Sequence, residues 1–203
     1  MSRVLELDRN PRVRVANLTV KALLVAAFAV ALTVPLSVLE GKAMGFRAPL
    51  FLAPVVIVPI WHRLRPLDPY PHTGDAFLAA PFLVDTLGNL LGFYDRYPVT
   101  DDVLHALNWV LLVLAFHGFR FRKVHDGRDA RLLGAGFGAL AIVAWEILEW
   151  AVSEDGFGGA GGLALTYGDT VGDLLLSTSG GVVGSFLGVH WFLGAQARRA
   201  AHP

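Results

Sequence analysis

Cysteine is absent from the 203 residues. Disulfides and thiolate metal sites are therefore excluded, and any metal must be held by oxygen and imidazole. Charge is also scarce: 17% of residues are Asp, Glu, Lys or Arg, against about 25% in a soluble domain. Acidic and basic residues balance at 17 each, so no excess positive charge points to nucleic acid. The chain lacks a repeat of 20–50 residues and low-complexity tracts. It also lacks, in recognisable context, a nucleophile–base triad, a phosphate loop, a haem ligand pattern and a dinucleotide fingerprint.

What is abundant is apolar sequence. Hydrophobic residues make up 54% of the chain and mean hydropathy is +0.52. The few charges gather in short clusters between long apolar runs, which is the pattern of a membrane protein. The basic start (Arg3, Arg9, Arg12, Arg14, Lys21) followed by an apolar run over residues 22–39 also describes a signal peptide. The run is long for a signal core and no small-x-small cleavage site follows it, so it reads as a retained first helix.

A spanning helix needs roughly 20 mostly apolar residues. Residues 21–39, 45–61, 75–94, 102–119, 130–150 and 169–193 qualify or nearly do. The expected fold is all-α, a polytopic membrane bundle of about six helices. It forms a single transmembrane domain over 1–203, with a short arm (1–20) and a polar-motif core (75–190). The second segment, with Pro49, Pro54 and Pro59, is expected to kink or re-enter, because each proline removes a backbone donor. With the N-terminus cytoplasmic, only Lys42, Arg47 and Arg96 of the 17 basic residues lie on the outer side. The expected orientation puts both termini in the cytoplasm. Gly180, Gly184 and Gly188, with Gly134 and Gly138 and with Gly88 and Gly92, have the spacing that lets helix backbones approach closely.

Placed by depth, the ionisable residues converge on the outer half. Asp102 and His105 open the fourth segment, Glu146 and Glu149 close the fifth, and Asp169 and Asp173 open the sixth. Asp85 and Asn89 lie on the third. Spacings of three or four put each pair on one helical face. No comparable cluster is evident at the inner end. A carboxylate at mid-membrane costs on the order of 2.5–3.5 kcal/mol, so such groups usually face a bundle interior and bind something. Facing carboxylates without internal Lys or Arg need shared protons or a bound cation.

The first expectation is therefore a divalent metal cation held by Asp102, His105, Glu146 and Asp173, with Glu149 or Asp169 as general base. Such a centre would act on a lipid, lipid-linked or small-molecule substrate drawn from the bilayer. Bland roles compete: Asp102 and Asp169 as helix caps, His105 as an interhelical hydrogen-bonder, Asn89 as a structural residue. A proton- or cation-coupled transporter running through Asp85 is one alternative. A structural or accessory protein is another. The glycine-rich stretch 153–168, free of positive charge, suits either a flap over the cluster or a surface connection.

Three stretches carry a resemblance. They are Asp85-Thr86-Leu87-Gly88-Asn89 with Tyr94-Asp95; Asp101-Asp102-Val103-Leu104-His105; and Trp145-Glu146-Ile147-Leu148-Glu149-Trp150 followed by Tyr167-Gly168-Asp169-Thr170-Val171-Gly172-Asp173-Leu174. Together they resemble the YjdF-like bacterial inner-membrane proteins and, more distantly, the VanZ-like group. The similarity covers roughly residues 75–188. It implies a polytopic bacterial membrane protein and supplies no reaction.

Overall fold

The structure is a computed structural model that describes residues 3–121, 126–152 and 166–193. Six long helices dominate these residues: α2 (Pro11–Thr33), α3 (Met44–Leu64), α4 (His72–Leu90), α6 (Thr100–Arg120), α7 (Gly127–Val152) and α8 (Tyr167–Phe192). Two short ones, α1 (Arg3–Asp8) and α5 (Phe93–Arg96), flank them, and no strand occurs among the described residues. Large apolar side chains stand exposed around the perimeter, including Leu23, Ile57, Leu140, Ile147, Leu175 and Phe186. A surface this apolar belongs in lipid.

The chain runs up and down between a basic end (Arg14, Arg63, Arg120, Arg128) and an acidic end (Asp101, Glu149, Asp169). α6 and α8 run parallel and share the largest interface. Gly180 and Gly184 lie against the α6 backbone at Ala106 and Val110. α7 crosses α8 in the opposite direction, with Gly138 against Gly181. α4 packs antiparallel on the other side of α6, where Gly74 and Gly118 touch through their backbones. α2 lies along α4, and α3 packs outside both.

Five of the six long helices are apolar enough to cross a membrane by composition, and α4 is the exception. It buries Thr73, Asp75, Thr86 and Asn89, because helices rather than lipid surround it.

Several boundaries differ from the sequence reading. The first long helix starts at Pro11, ten residues before Lys21. The Asn10 side chain caps it by accepting the Arg12 N–H at 3.0 Å, and Pro11 occupies a first-turn position where no donor is needed. Most of the supposed arm is therefore helix, and Lys21 is internal. α3 is continuous through Pro49, Pro54 and Pro59 over 21 residues, about 31 Å at 1.5 Å per residue. Pro59 cannot donate to the Val55 carbonyl. Lys21 Nζ takes that acceptor at 3.2 Å instead. α4 ends at Leu90, and Gly92 is not a packing residue within it. With φ of 69° it is the left-handed residue that follows the helix. α4 begins after Pro71, which offers no capping side chain. Asp8, from α1, accepts the Thr73 N–H at 2.8 Å in its place.

The basic end also holds a buried polar network, contrary to expectation. Asp75 on α4 is fully buried. Its Oδ2 accepts from Lys21 Nζ (2.6 Å), Asn17 Nδ2 (2.9 Å) and the Tyr70 hydroxyl (2.7 Å). His72 Nδ1 lies 3.2 Å from Asn17 Nδ2. Burial, then the Asp75 carboxylate, push the Tyr70 phenol up from its ordinary value.

Candidate functional site

At the acidic end α4, α6, α7 and α8 bring their polar side chains together. Two groups of donor atoms form, each with all atoms within 4.8 Å: Asp101, His105 and Asp173; and Glu146, Glu149 and Asp173. Asp173 belongs to both. His105 Nε2 lies 3.6 Å from Asp173 Oδ1 and 3.8 Å from Asp101 Oδ1, while Nδ1 lies 3.1 Å from Ser177 Oγ. Ser177 thus fixes the orientation of the imidazole ring, and Nε2 faces the two carboxylates.

Of the residues expected in the site, His105, Glu146, Glu149 and Asp173 come together. Asp102 and Asp169 do not join them. Both side chains are exposed, on the first turns of α6 and α8, where a negative charge complements the helix dipole. Asp101 stands where Asp102 was expected. One residue is a rotation of about 100° on a helix, and Asp101, His105 and Asn108 follow one α6 face at spacings of four and three. That stripe was the available signal, and the pairing of Asp102 with His105 missed it.

Asp85 and Asn89 form a separate, self-satisfied unit. Tyr94 donates its hydroxyl to Asp85 Oδ1, and Asn89 Nδ2 donates to Asp85 Oδ2 at 3.2 Å and to the Asp85 carbonyl at 3.0 Å. Tyr94, on α5, was missed as a partner. Burial and the facing Asp85 push its phenol above the ordinary value. Toward the basic end of α4, buried Ala79 and Leu83 sit in an apolar cluster with Leu24, Phe28 and Phe51. This cluster separates the Asp85 unit from the Asp75 network.

Glu146 contrasts with Asp85. It is 7% exposed, and neither carboxylate oxygen has a hydrogen-bond partner among the described residues. A buried carboxylate with both oxygens orphaned costs several kcal/mol unless a proton or cation compensates it. Two more carboxylates stand beside it, Asp173 at 4% exposed and Glu149 partly buried, with the His105 imidazole nearby.

Beside the cluster lies a cavity of about 960 Å³. Asp101, His105 and Glu149 line it, and so do Asp85, Tyr94 and Asn108. Glu146 and Asp173 sit behind that wall. The remaining lining is largely apolar, with Phe51, Phe82, Leu104, Leu112 and Trp145 among it. The glycine-rich stretch over residues 153–165 lies outside the described residues, so the flap expectation has no structural counterpart.

No curated protein and no solved structure matches this chain. A family described as "Predicted membrane protein (DUF2238)" matches residues 16–193, a span from early α2 to the end of α8 that includes every residue of both carboxylate groups. The chain therefore belongs to the DUF2238 family of membrane proteins.

Proposed function

We propose that this protein holds a divalent cation between Glu146, Glu149 and Asp173, at the head of a membrane-embedded cavity. Asp101 and His105, grouped with the same Asp173, adjoin the ion on the α6 side. The orphaned, buried carboxylate of Glu146 carries this reading: a cation is the compensation that also neutralises Asp173 and Glu149 beside it. Oxygen donors with one imidazole suit Mg, Mn, Ca or Zn. Glu149 and His105 line the cavity, so a bound cation is reached from that side. Bound there, such an ion would supply a Lewis acid to polarise an ester and to acidify a water. The reaction class is hydrolysis of an ester on an amphiphilic substrate, with the Glu149 oxygen that does not hold the ion taking the water's proton. The apolar layer between the two polar networks on α4 favours a closed site over a conduction path.

Metal analysis of the purified protein tests this directly. Wild type is expected to retain a divalent ion, and saturating Mn or Zn to raise its thermal stability, by about 2.7 kcal/mol at a hundredfold excess over Kd. Glu146→Gln and Asp173→Asn lose both effects, whereas Asp102→Asn keeps them. A metal-free wild type, indifferent to chelator and to added cations, ends the proposal.

The same reading places the acidic end outside the plasma membrane, on the strength of the basic residues gathered at the other end. The absence of native cysteine makes orientation simple to measure. A membrane-impermeant maleimide applied to intact cells is expected to label Tyr97→Cys and to spare Leu64→Cys. The reverse pattern puts the site on the cytoplasmic face.

A further inference from the structure

We infer that the cavity takes a phosphate-bearing lipid, which enters sideways from the bilayer between α3 and α7 and sets its phosphate against Arg47.

The way in follows from the packing. α3 is carried by α2 and α4, and α7 by α8 and α6, and no substantial interface joins α3 to α7. The cavity occupies the space between them. Its lining includes Phe46 and Leu50 from α3 and Leu148 from α7, and all three are exposed. Residues that both line a cavity and face lipid mark its mouth. These three residues are apolar, which admits a hydrocarbon chain at the gap between α3 and α7. A volume near the top of the roughly 300–1,000 Å³ range of small-molecule sites accommodates a headgroup with the adjoining chain, while the rest of the chain stays in the bilayer.

The charge pattern identifies the headgroup. Lys42 is engaged by Asp95 at 2.7 Å. Arg47 also lines the cavity; its charge acts on the Asp85 and Asp101 carboxylates across it, but among the described residues no side chain hydrogen-bonds the guanidinium. It lies in the first turn of α3, whose N-cap Ala43 provides no capping side chain. Gly45 in that turn also lines the cavity, and a side chain there would meet only open space. A guanidinium with no direct hydrogen-bond acceptor and an uncapped helix start together favour an anion with several oxygens. A neutral lipid leaves both unsatisfied.

The carboxylates opposite repel such an anion unless a cation lies between, so the inference rests on the proposed metal site for that half of the headgroup. It does not rest on it for the Arg47 half.

The test uses the full-length protein in a neutral detergent with Mn²⁺. Binding is followed by native mass spectrometry and thermal shift with three probes: dioctanoyl phosphatidic acid, dioctanoylglycerol and inorganic phosphate. Phosphatidic acid is expected to bind saturably, with the other two at least tenfold weaker. Arg47→Gln should weaken phosphatidic acid about tenfold or more and leave dioctanoylglycerol unchanged. Leu50→Trp with Leu148→Trp, which narrows the mouth, should weaken both lipids together. Equal binding of the two lipids overturns the inference, as does phosphate binding as tightly as phosphatidic acid, or an Arg47→Gln protein that binds like wild type. Glu146→Gln separates the two proposals. If neither wild type nor Glu146→Gln holds Mn²⁺, yet both bind phosphatidic acid and Arg47→Gln does not, the metal reading fails and the lipid inference stands.

Discussion

Lys21→Met is expected to destabilise the folded bundle by about 3–5 kcal/mol, the usual consequence of removing one partner from a buried ion pair. Lys21 is 7% exposed and Asp75 fully buried, and their 2.6 Å contact joins α2 to α4. Without the ammonium, the Asp75 carboxylate keeps only the Asn17 and Tyr70 donors, and the Val55 carbonyl freed by Pro59 loses its partner as well. Asp75→Asn should cost a similar amount by stranding Lys21 against that carbonyl. The double variant Lys21→Met/Asp75→Asn removes both charges and keeps an oxygen for Asn17 and Tyr70, so it should recover much of the loss. Denaturant unfolding of all four proteins in one detergent closes the double-mutant cycle. Two small, additive single effects would falsify a coupled pair. In lipid the reference state retains its helices, so the cycle reports how α2 and α4 hold together rather than whether they form.

That pair also marks where the sequence was hard to read. Lys21 follows Arg9, Arg12 and Arg14 in the chain, so it reads as the last charge of a flank. The Asn10-Pro11 pair was the better boundary signal, being a capping side chain followed by the residue suited to a first turn. Periodicity could not reveal that Lys21 meets an acid 54 residues away, because that contact is purely tertiary. Pro59 was hard to read for a related reason: how far it disrupts the helix depends on whether the freed carbonyl finds another donor, and the donor is Lys21 itself.

At the acidic end more was legible. Glu146, Glu149, Asp173 and His105 were identifiable because charge inside an apolar run has few cheap explanations. The neighbouring pair Asp101 and Asp102 was ambiguous. Both lie within the first turn, where helical phase is set by a start point that sequence locates only to within a residue or two. The distinction between Asp85, held by Tyr94 and Asn89, and Glu146, held by nothing described, needed coordinates. Tyr94 sits beyond the left-handed turn at Gly92, outside any helical register that α4 could project.

The glycine stripe supports a prediction of comparable size. Gly180→Val is expected to abolish the native bundle, seen as loss of monodisperse protein on extraction or a fall in stability of several kcal/mol. A Cβ at Gly180 would stand 2.1 Å from the Ala106 carbonyl oxygen and 3.0 Å from its carbon. The obstacle is backbone, so no rotamer change relieves it, and α6 and α8 must separate. Ordinary overpacking costs about 1–3 kcal/mol because side chains adjust; here the interface itself has to move. Separation would also dismantle the site, because Asp101 and His105 ride on α6 and Asp173 on α8. Metal retention should therefore disappear with the fold. Gly136→Ala is the control. It lies within α7 with nothing inside 4 Å of the added carbon, and there alanine should be neutral or stabilise the helix by up to about 1 kcal/mol. If Gly180→Val purified with wild-type stability and bound metal, the parallel packing of α6 on α8, and the convergence of Asp101, His105 and Asp173 that it produces, would have to be abandoned.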